Sequence, residues 1–425
     1  MPLTGGPIEL GRNDGGTGNL DDDRISRCHA KVALDDGGFV VTDLGSQNGT
    51  RVDGALAAPD VPTRVQRVVR IGYTLLVPCA DVRPFERAGV RVIDGFVRGP
   101  AMQAVLEETE RAARSGSTLH VRGETGSGKE GVVQAFHRAS PRASRALVSV
   151  NCATIQHTLA ERLLFGAKRG AFTSAEADSI GYVQEADGGT LFLDEVAELD
   201  PLVQAKLLRV LESREMTPVG ASKPRNVDFA LCSATNKDLR VLVATGALRE
   251  DLYFRIATPA VTLPSLRDRP EEIPALIAHV LAGRSPAQTA HVSLVEQCLL
   301  RPWPGNIREL VSEIRAAAQA AGGERVAARH LASTAGNVFG NAASRPAVAV
   351  AAAAGGGSGP PPEVRISRAD PAWRGRIEES LRAHGGNRSA TARALGMHRT
   401  QLCRLIKRLG IAIEDAEDGP GESDE

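Results

Sequence analysis

A glycine-rich segment that ends in lysine carries the clearest chemistry in this sequence. It comprises Gly123, Glu124, Thr125, Gly126, Ser127, Gly128, Lys129 and Glu130. Glycines let successive backbone N–H groups turn toward an anion, and a lysine at this offset reaches the β- and γ-phosphates of a nucleotide. The segment therefore predicts a P-loop that binds ATP. Glu130 stands where the general pattern has the Ser or Thr that ligates Mg²⁺.

Two acidic residues end an apolar run that lies 65 residues after Lys129. The run reads GGTLFLDE and places Asp194 and Glu195 at the end of a predicted strand. Phosphoryl transfer depends mainly on positioning the reactants and stabilising charge on the γ-phosphoryl group. We therefore assign Mg²⁺ binding to Asp194 and orientation of the attacking water to Glu195.

These side chains need a strand, a loop and a helix to hold them in place. The apolar segment 118–121 precedes the P-loop, and Val132, Val133 and Phe136 follow it with helical spacing. At 425 residues the chain has room for about three domains. Its 42% hydrophobic and 24% charged content is typical of ordinary globular domains. An α/β domain around the P-loop must therefore share the chain with other domains.

Composition excludes several classes of protein. The longest wholly apolar run, 347–354, is far shorter than the roughly 18 residues of a membrane span, and the N-terminus lacks an export signal pattern. Six cysteines are scattered without a CxxC pair, which argues against a zinc cage or a disulfide framework. We predict a soluble, cytoplasmic protein with reduced thiols and no membrane contact.

Charge is segregated at the C-terminus although the whole chain carries a formal net charge of zero. Between Arg374 and Arg408, nine basic residues stand against two acids, a net charge of +7, and residues 414–425 hold seven acids and no base. A compact basic module followed by an acidic tail is typical of a nucleic-acid contact with a solvated end.

Changes in composition divide the chain into segments. The Ala, Gly, Pro and Ser-rich stretch 336–367 predicts a flexible linker, and a softer boundary lies between residues 82 and 95. We therefore predict domains at 1–82, 95–335 and 368–413, followed by the acidic tail 414–425.

The central domain resembles the AAA+ ATPases that activate the bacterial sigma-54 RNA polymerase holoenzyme. The resemblance covers residues 97–326 and rests on motifs in family order. These motifs are GETGSGKE, VSVNCA, LFG followed by GAFTSA, GGTLFLDEV, ATN, LREDLYFR and WPGNIREL. The resemblance implies an α/β P-loop domain with a helical lid that hydrolyses ATP with Mg²⁺.

The same resemblance implies roles for three further residues near the nucleotide. Asn151 is similar to the polar switch that holds the glutamate, here Glu195, away from its water. Asn236 is similar to the first sensor, which places an amide near the γ-phosphate, and Arg308 is similar to the second sensor, which acts in cis.

Two arginines resemble fingers offered to the ATP of a neighbouring subunit. They are Arg249 and Arg255, in the motif LREDLYFR. A guanidinium supplied in trans contributes about 10³–10⁵ in rate. Arginines that act in trans imply a ring, which in this family is usually a hexamer.

The loop that contacts the sigma factor departs from its family pattern. It comprises Gly170, Ala171, Phe172, Thr173, Ser174 and Ala175, where the family reads GAFTGA. Serine lacks the freedom of glycine at positive φ, so Ser174 strains the loop by about 1 kcal/mol if the tip needs that conformation. Lys168, before the loop, replaces a usual Glu.

The N-terminal segment resembles a forkhead-associated (FHA) domain, a β-sandwich whose loops bind phosphothreonine. Its motifs are Gly-Arg at 11–12, ISRCHA at 25–30 and DLGSQNGT at 43–50. The resemblance implies that phosphothreonine contacts come from Arg12, Ser26, Arg27 and Asn48, with His29 bracing the loops. Because little chain precedes Gly11, we expect the first strands of the sandwich to be missing or shortened.

The basic module resembles the Fis-type helix-turn-helix, a small all-α domain. Its last helix is expected to present five residues to double-stranded DNA, at the major groove and phosphates. They are Arg399, Thr400, Gln401, Arg404 and Lys407.

Together these segments indicate an ATP-hydrolysing, DNA-binding activator of sigma-54-dependent transcription that is regulated through phosphothreonine recognition. Its partners would be the sigma-54 holoenzyme, an enhancer site, a phosphothreonine protein or peptide, and further copies of the chain. Two alternatives stay open at this point. One is a DNA-bound regulator that does not remodel polymerase because of Ser174. The other is a phosphopeptide-binding adaptor with a vestigial ATPase.

Overall fold

The computed structural model describes residues 6–12, 19–171, 177–338, 377, 380–382 and 391. The chain divides into two compact units, Met1–Pro346 and Ala347–Glu425. In the second unit, Ile377, Leu381 and Thr391 are helical and buried. Across the described ranges, no helix has the length and apolarity that a membrane span requires.

An eight-stranded sandwich forms the N-terminal part of the first unit. One antiparallel sheet has the strand order β1-β2-β3-β6 and the other has the order β5-β4-β7-β8. Alternating apolar residues such as Leu10, Val41 and Ile71 fill the space between the sheets, as expected for a sandwich. The strands are β1 (Ile8–Leu10), β2 (Ala30–Asp35), β3 (Gly38–Asp43), β4 (Thr50–Val52), β5 (Ala55–Leu56), β6 (Thr63–Arg64), β7 (Val69–Ile71) and β8 (Thr74–Leu76).

A short helix and a β-hairpin connect the sandwich to the central domain. They are α1 (Arg83–Arg87), β9 (Arg91–Ile93) and β10 (Phe96–Arg98). The two-residue turn of the hairpin, Asp94-Gly95, has positive φ at both positions, which suits the right-handed twist of the strands it joins.

A five-stranded parallel sheet with the order β12-β13-β16-β11-β17 forms the centre of the P-loop domain. Because all its strands run in one direction, their carboxyl ends meet at one edge. Its strands are β11 (Leu119–Arg122), β12 (Leu147–Asn151), β13 (Thr190–Asp194), β16 (Ala230–Thr235) and β17 (Ala260–Thr262), and a separate hairpin holds β14 (Glu215–Met216) and β15 (Arg225–Asn226).

Helices cover both faces of this sheet. Residues of β13 alternate between the two cores, since Leu191 and Leu193 pack with α6 and α8 while Phe192 packs with α2 and α3. This arrangement confirms the predicted α/β class. The helices are α2 (Pro100–Arg114), α3 (Lys129–Ala139), α4 (His157–Phe165), α5 (Tyr182–Glu185), α6 (Pro201–Ser213), α7 (Leu239–Ala244) and α8 (Glu250–Ile256).

Three helices after the sheet form a lid with its own apolar core. They are α9 (Glu272–Ala282), α10 (Val292–Leu299) and α11 (Asn306–Ala320). Trp303 is fully buried in this core, and its indole N–H donates to the carbonyl of Cys298 at 2.7 Å. The tryptophan therefore fixes the turn between α10 and α11.

The N-terminal sandwich rests on the lid. Val68 of the sandwich is fully buried in the apolar core of the lid, with Leu75 and Val77 packed beside it. Arg70 of β7 forms an ion pair with Glu296 of α10 at 3.2 Å, and the side chain of Glu296 is 5% exposed. The sandwich and the lid thus share a core and a shielded ion pair.

Candidate functional site

The P-loop follows β11 and leads into α3, as the sequence predicted. Gly126 and Gly128 have φ values of +75° and +105°, which disfavour residues with a Cβ. A Cβ on Gly126 would lie 2.3 Å from the carbonyl oxygen of Gly305 in the lid. Lys129 is buried, and its ammonium donates to the carbonyl of Gly123 at 3.1 Å. The loop therefore curls around its lysine and leaves no room for larger residues at Gly126.

Glu195 lies immediately past β13 and beside this lysine. Its φ of +49° is uncommon for a residue with a side chain and is typical of strained functional positions. One carboxylate oxygen lies 3.5 Å from the ammonium of Lys129. The other accepts from the Thr235 hydroxyl at 3.3 Å and from the Asn236 backbone N–H at 3.2 Å. Four residues from three strand ends thus converge at one point.

The two asparagines assigned from the family pattern lie on either side of β13. The side-chain amide of Asn236 donates to the hydroxyl of Thr125 in the P-loop at 3.3 Å. Asn151 pairs in register with Asp194, but its side-chain oxygen accepts from the N–H of Ala153 at 3.0 Å. Asn236 therefore touches the P-loop, and the role of Asn151 as a switch on the glutamate stays a prediction.

Asp194 is half-buried at the same sheet edge. Burial raises the pKa of this carboxyl, and the nearby carboxylates of Glu195 and Glu130 raise it further, while Lys129 opposes them. A carboxylate with two negative neighbours and one positive neighbour lacks positive charge, which a divalent cation supplies. The hydroxyl of Ser127 in the P-loop is also buried without a hydrogen-bond partner among the described residues. The residues present therefore fit a phosphate with Mg²⁺.

Asn306, the first residue of α11, fastens the lid to the P-loop. It is fully buried with a φ of +52°. Its amide N–H₂ donates to the carboxylate of Glu124 at 3.0 Å and to the carbonyl of Thr125 at 3.1 Å, and its oxygen accepts from the N–H of Leu266 at 2.7 Å. Arg267 holds the same Glu124 carboxylate through two hydrogen bonds and lowers its pKa.

Sequence reasoning gave no role to Asn306, although it lies within the quoted WPGN motif. The signal that could have found it is the Pro-Gly-Asn turn before a helix, because Asn tolerates positive φ better than most residues.

A buried ion pair supports the other side of the P-loop. Arg269 and Glu272 are 1% and 0% exposed, and their side chains meet at 2.8 Å. The guanidinium also donates to the carbonyl of Ser127 at 2.6 Å, while the carboxylate accepts from the N–H of Gly99 at 2.7 Å. This pair therefore joins the lid, the P-loop and the residue after β10.

Replacing Asn306 by Asp is expected to destabilise the docking of the lid on the P-loop. The change keeps the shape and the acceptor for Leu266 but sets a second carboxylate against Glu124, which also loses its donor. Removing a buried hydrogen bond to a charged group costs about 1.5–3 kcal/mol before the repulsion is added. Thermal unfolding should therefore shift down by several degrees, and affinity for ATP should fall.

Asn337→Asp is the matched control, since Asn337 is exposed and its amide contacts only the carbonyl of Ser333 among the described residues. Equal melting temperatures for the two variants would contradict the role of Asn306.

The three arginines assigned from the family pattern occupy different places. The Cβ of Arg308 lies 2.9 Å from the position that a Cβ on Gly126 would take, so this residue stands beside the P-loop of its own chain. Arg249 precedes α8, is 46% exposed and pairs with Asp251 at 2.7 Å. Arg255 is exposed and donates to the carbonyl of Leu211 at 3.0 Å. The latter two contact residues away from the P-loop of their own chain.

The stem of the expected sigma-54 loop is closed by an acidic residue. Asp178 forms an ion pair with Lys168 and accepts from the N–H of Arg169 at 2.9 Å. Gly170 has a φ of +79°. The tip positions 172–175 lie outside the described residues.

The residues expected to bind phosphothreonine lie on adjoining loops of the sandwich. The N–H of Arg12 donates to the carbonyl of Ser26 at 3.1 Å, and the hydroxyl of Ser26 accepts from the N–H of Gln47 at 3.1 Å. The side-chain amide of Asn48 donates to the carbonyl of Arg24 at 2.8 Å. A Cβ on Gly11 would lie 1.9 Å from the carbonyl oxygen of Arg27, which brings the fourth residue to the same place.

His29 braces these loops, as expected. It is fully buried, its Nδ1 accepts from the N–H of Ser26 at 3.0 Å, and its Nε2 lies 3.4 Å from the carbonyl oxygen of Gly49. The five residues expected to contact DNA, 399–401, 404 and 407, lie outside the described residues.

Family comparisons divide the chain in the same way. Residues 8–72 match the FHA domain, 96–262 match the sigma-54 interaction domain, 267–343 match an AAA+ ATPase lid domain, and 374–409 match the Fis family of bacterial regulatory proteins.

Curated relatives are regulators of transcription. The chain is 46% identical over 215 residues to the Nif-specific regulatory protein of Herbaspirillum seropedicae, which is 49% of this chain and 40% of that protein. It is 36% identical over 318 residues to ZraR of Salmonella typhi, covering 73% of this chain and 67% of that protein. With NorR of Aeromonas hydrophila it shares 36% over 388 residues, covering 87% and 73%.

Solved structures agree with these relatives. NtrX from Brucella abortus superposes with a TM-score of 0.52 at 29% identity, covering 73% of this chain and 68% of that one, and it has also been solved in complex with ATP. The P-loop, the lid that fastens to it, and the flanking sandwich and basic module now have one explanation. The chain belongs to the family of sigma-54-dependent transcriptional regulators, with an FHA domain, an AAA+ ATPase domain and a Fis-type helix-turn-helix.

Proposed function

We propose that this protein binds an enhancer site, hydrolyses ATP and uses the hydrolysis to remodel the sigma-54 RNA polymerase holoenzyme, under control of phosphothreonine recognition by its FHA domain. The observation that carries the proposal is the convergence of Lys129, Glu195, Thr235 and Asn236 at the carboxyl edge of the sheet. That edge is where open α/β sheets place their ligands.

In this mechanism the P-loop binds the phosphates of ATP through its N–H groups and Lys129. The ammonium of Lys129 now lies between the Gly123 carbonyl and the Glu195 carboxylate. When phosphate draws the ammonium away, Glu195 is free to accept a hydrogen bond from the attacking water, and Thr235 and Asn236 hold the carboxylate in position. The pairing of Glu195 with Lys129 therefore keeps the carboxylate occupied until nucleotide arrives.

Asp194 would hold Mg²⁺, with Glu130 nearby in place of the usual hydroxyl. When bound, the cation neutralises charge on the β- and γ-phosphates. The carboxylate of Asp194 is set for this by its half-buried position and by its acidic neighbours.

The remaining parts of the proposal concern partners. The exposed Arg249 and Arg255 would complete the ATP site of an adjacent subunit in a ring, usually a hexamer in this family. The basic module 368–413 would contact double-stranded DNA through Arg399, Thr400, Gln401, Arg404 and Lys407. Arg12, Ser26, Arg27 and Asn48 would hold the phosphothreonine of a protein or peptide. Since its DNA target is the bacterial chromosome, the protein would act in the cytoplasm.

The test of remodelling is open-complex formation on a sigma-54 promoter with an upstream site, in the presence of ATP. Wild type should open the promoter, and Ser174→Gly should open it faster while changing basal ATPase little, because the P-loop lies elsewhere. Thr173→Ala should abolish opening, since the family resemblance assigns the grip on the sigma factor to this tip. Promoter DNA melting and phosphate release are measured in the same reactions.

Failure of both wild type and Ser174→Gly to open the promoter, with ATPase and DNA binding intact, would contradict remodelling. The better account would then be a DNA-bound FHA regulator that does not act on the polymerase. Loss of ATPase with phosphopeptide binding intact would favour an adaptor.

A further inference from the structure

A small cavity lies where the sandwich meets the lid. Its volume is about 150 Å³, the room of roughly five water molecules. The sandwich contributes Arg24, Asn48, Gly49, Arg51, Arg70, Gly72 and Tyr73, and the lid contributes His291 and Val292 at the start of α10. The space is large enough for a carboxylate or a phosphate group.

The cavity is positively charged. Three arginines line it, and none of its lining residues within the described chain is acidic. Glu296 neutralises Arg70, but Arg51 donates only to the carbonyl of Gly54 among the described residues, at 3.2 Å. The guanidinium of Arg24 lies 4.7 Å above the ring of Tyr73. Two guanidinium groups therefore face the cavity without a carboxylate partner among the described residues.

The titration of His291 reports the same field. Burial lowers the pKa of this histidine, and four arginines, Arg70 and Arg24 among them, lower it further. The ring of His291 packs edge-on against Tyr73, with centroids 6.0 Å apart. A site that disfavours positive charge on its own histidine favours an anion.

The cavity adjoins the loops expected to bind phosphothreonine. Asn48 belongs to both, since its side chain lines the cavity and its amide donates to the carbonyl of Arg24. Arg24 lies two residues before Ser26, and Gly49 contacts the brace His29. A peptide held on those loops therefore passes within a few residues of the cavity.

The opposite wall of the cavity leads to the nucleotide site. His291 and Val292 begin α10, which packs in the lid core against α9 and α11. The first turn of α11 reaches the P-loop, where the N–H of Ile307 donates to the carbonyl of Gly126 at 3.0 Å. A ligand in the cavity would therefore contact the element that holds the P-loop.

We propose that this cavity binds an anionic side chain, a carboxylate or a phosphate, of the same peptide whose phosphothreonine the FHA loops recognise. One peptide would then bridge the sandwich and the lid and couple phosphopeptide binding to the ATPase. This inference rests on the proposed phosphothreonine recognition and adds the second group of the ligand and its route to the nucleotide site.

The experiment uses the full-length protein and fluorescent peptides with phosphothreonine in an alanine background. In one series a single Glu is placed at each of four positions on either side, and in a second series phosphoserine replaces that Glu. At fixed ionic strength, at least one position should raise the affinity about fivefold or more for Glu, and further for phosphoserine. Only peptides with that acidic group should change the steady-state ATPase rate.

Arg51→Gln should remove the gain from the acidic group and leave the affinity for the plain phosphothreonine peptide unchanged. Arg24→Gln, an exposed position, should do the same if the Arg51 variant folds poorly. Arg67→Gln is the control, because Arg67 is an exposed arginine of the same sandwich outside the cavity lining.

The outcomes separate this inference from the function on which it rests. Binding of phosphothreonine peptides with no acidic preference, or a preference that survives both cavity variants, would overturn the inference alone. No binding of any phosphopeptide would overturn the phosphothreonine function and the inference together.

Discussion

Glu195→Gln is expected to bind ATP as the wild type does and to hydrolyse it at least about 100-fold more slowly. The amide keeps the size of the side chain but cannot orient and activate water as a carboxylate does, and such groups contribute roughly 10²–10⁴ in rate. Lys129→Ala should instead lose ATP affinity, because the buried ammonium is the positive charge nearest the phosphates. Fluorescent-nucleotide titration and phosphate release measure the two effects separately.

Glu198→Gln is the matched control for the first variant. Glu198 lies three residues further along the chain and pairs with Lys237, so it undergoes the same chemical change away from the P-loop lysine. Wild-type hydrolysis by Glu195→Gln would remove Glu195 from the catalytic assignment.

Arg249→Ala is expected to lose about 10³-fold or more of the ATPase rate while its own P-loop stays intact. The guanidinium is half-exposed and is held by Asp251, so it is presented outward and not toward the nucleotide of its own chain. Mixing inactive Arg249→Ala with inactive Lys129→Ala should therefore restore part of the activity, because some interfaces would join a sound P-loop to a sound arginine. Phosphate release by the mixture, compared with each variant alone, measures the recovery.

Arg315→Ala, at an exposed position of α11, serves as the control and should hydrolyse ATP normally. If rings that demonstrably contain both variants recover no activity, Arg249 does not act in trans.

Local patterns made much of this fold predictable. The strand before Gly123, the helix after Lys129 and the strand that ends in Asp194 are each encoded within about ten residues, and all three are found. The parallel sheet then follows, because two strands that end in phosphate-binding and metal-binding residues must share an edge. Contacts between distant segments were not predictable in this way.

Asn306 illustrates what the sequence could not supply. It donates to Glu124, which lies 182 residues earlier, and this contact exists only once the lid has folded onto the P-loop. The partners of Glu195 are a second case. β13 has a neighbour on each side, and the sequence indicated Asn151 on β12. The positive φ of Glu195 accompanies contacts with Thr235 and Asn236 at the end of β16.

The buried pair of Arg269 and Glu272 has an evolutionary consequence. Removing either partner leaves an uncompensated charge in an apolar interior, which costs several kcal/mol, whereas replacing both by apolar residues of similar volume is often neutral. The pair also spans the lid, the P-loop and the residue after β10. Single substitutions at these two positions should therefore be purged in diverging lineages, and the two columns of an alignment should covary.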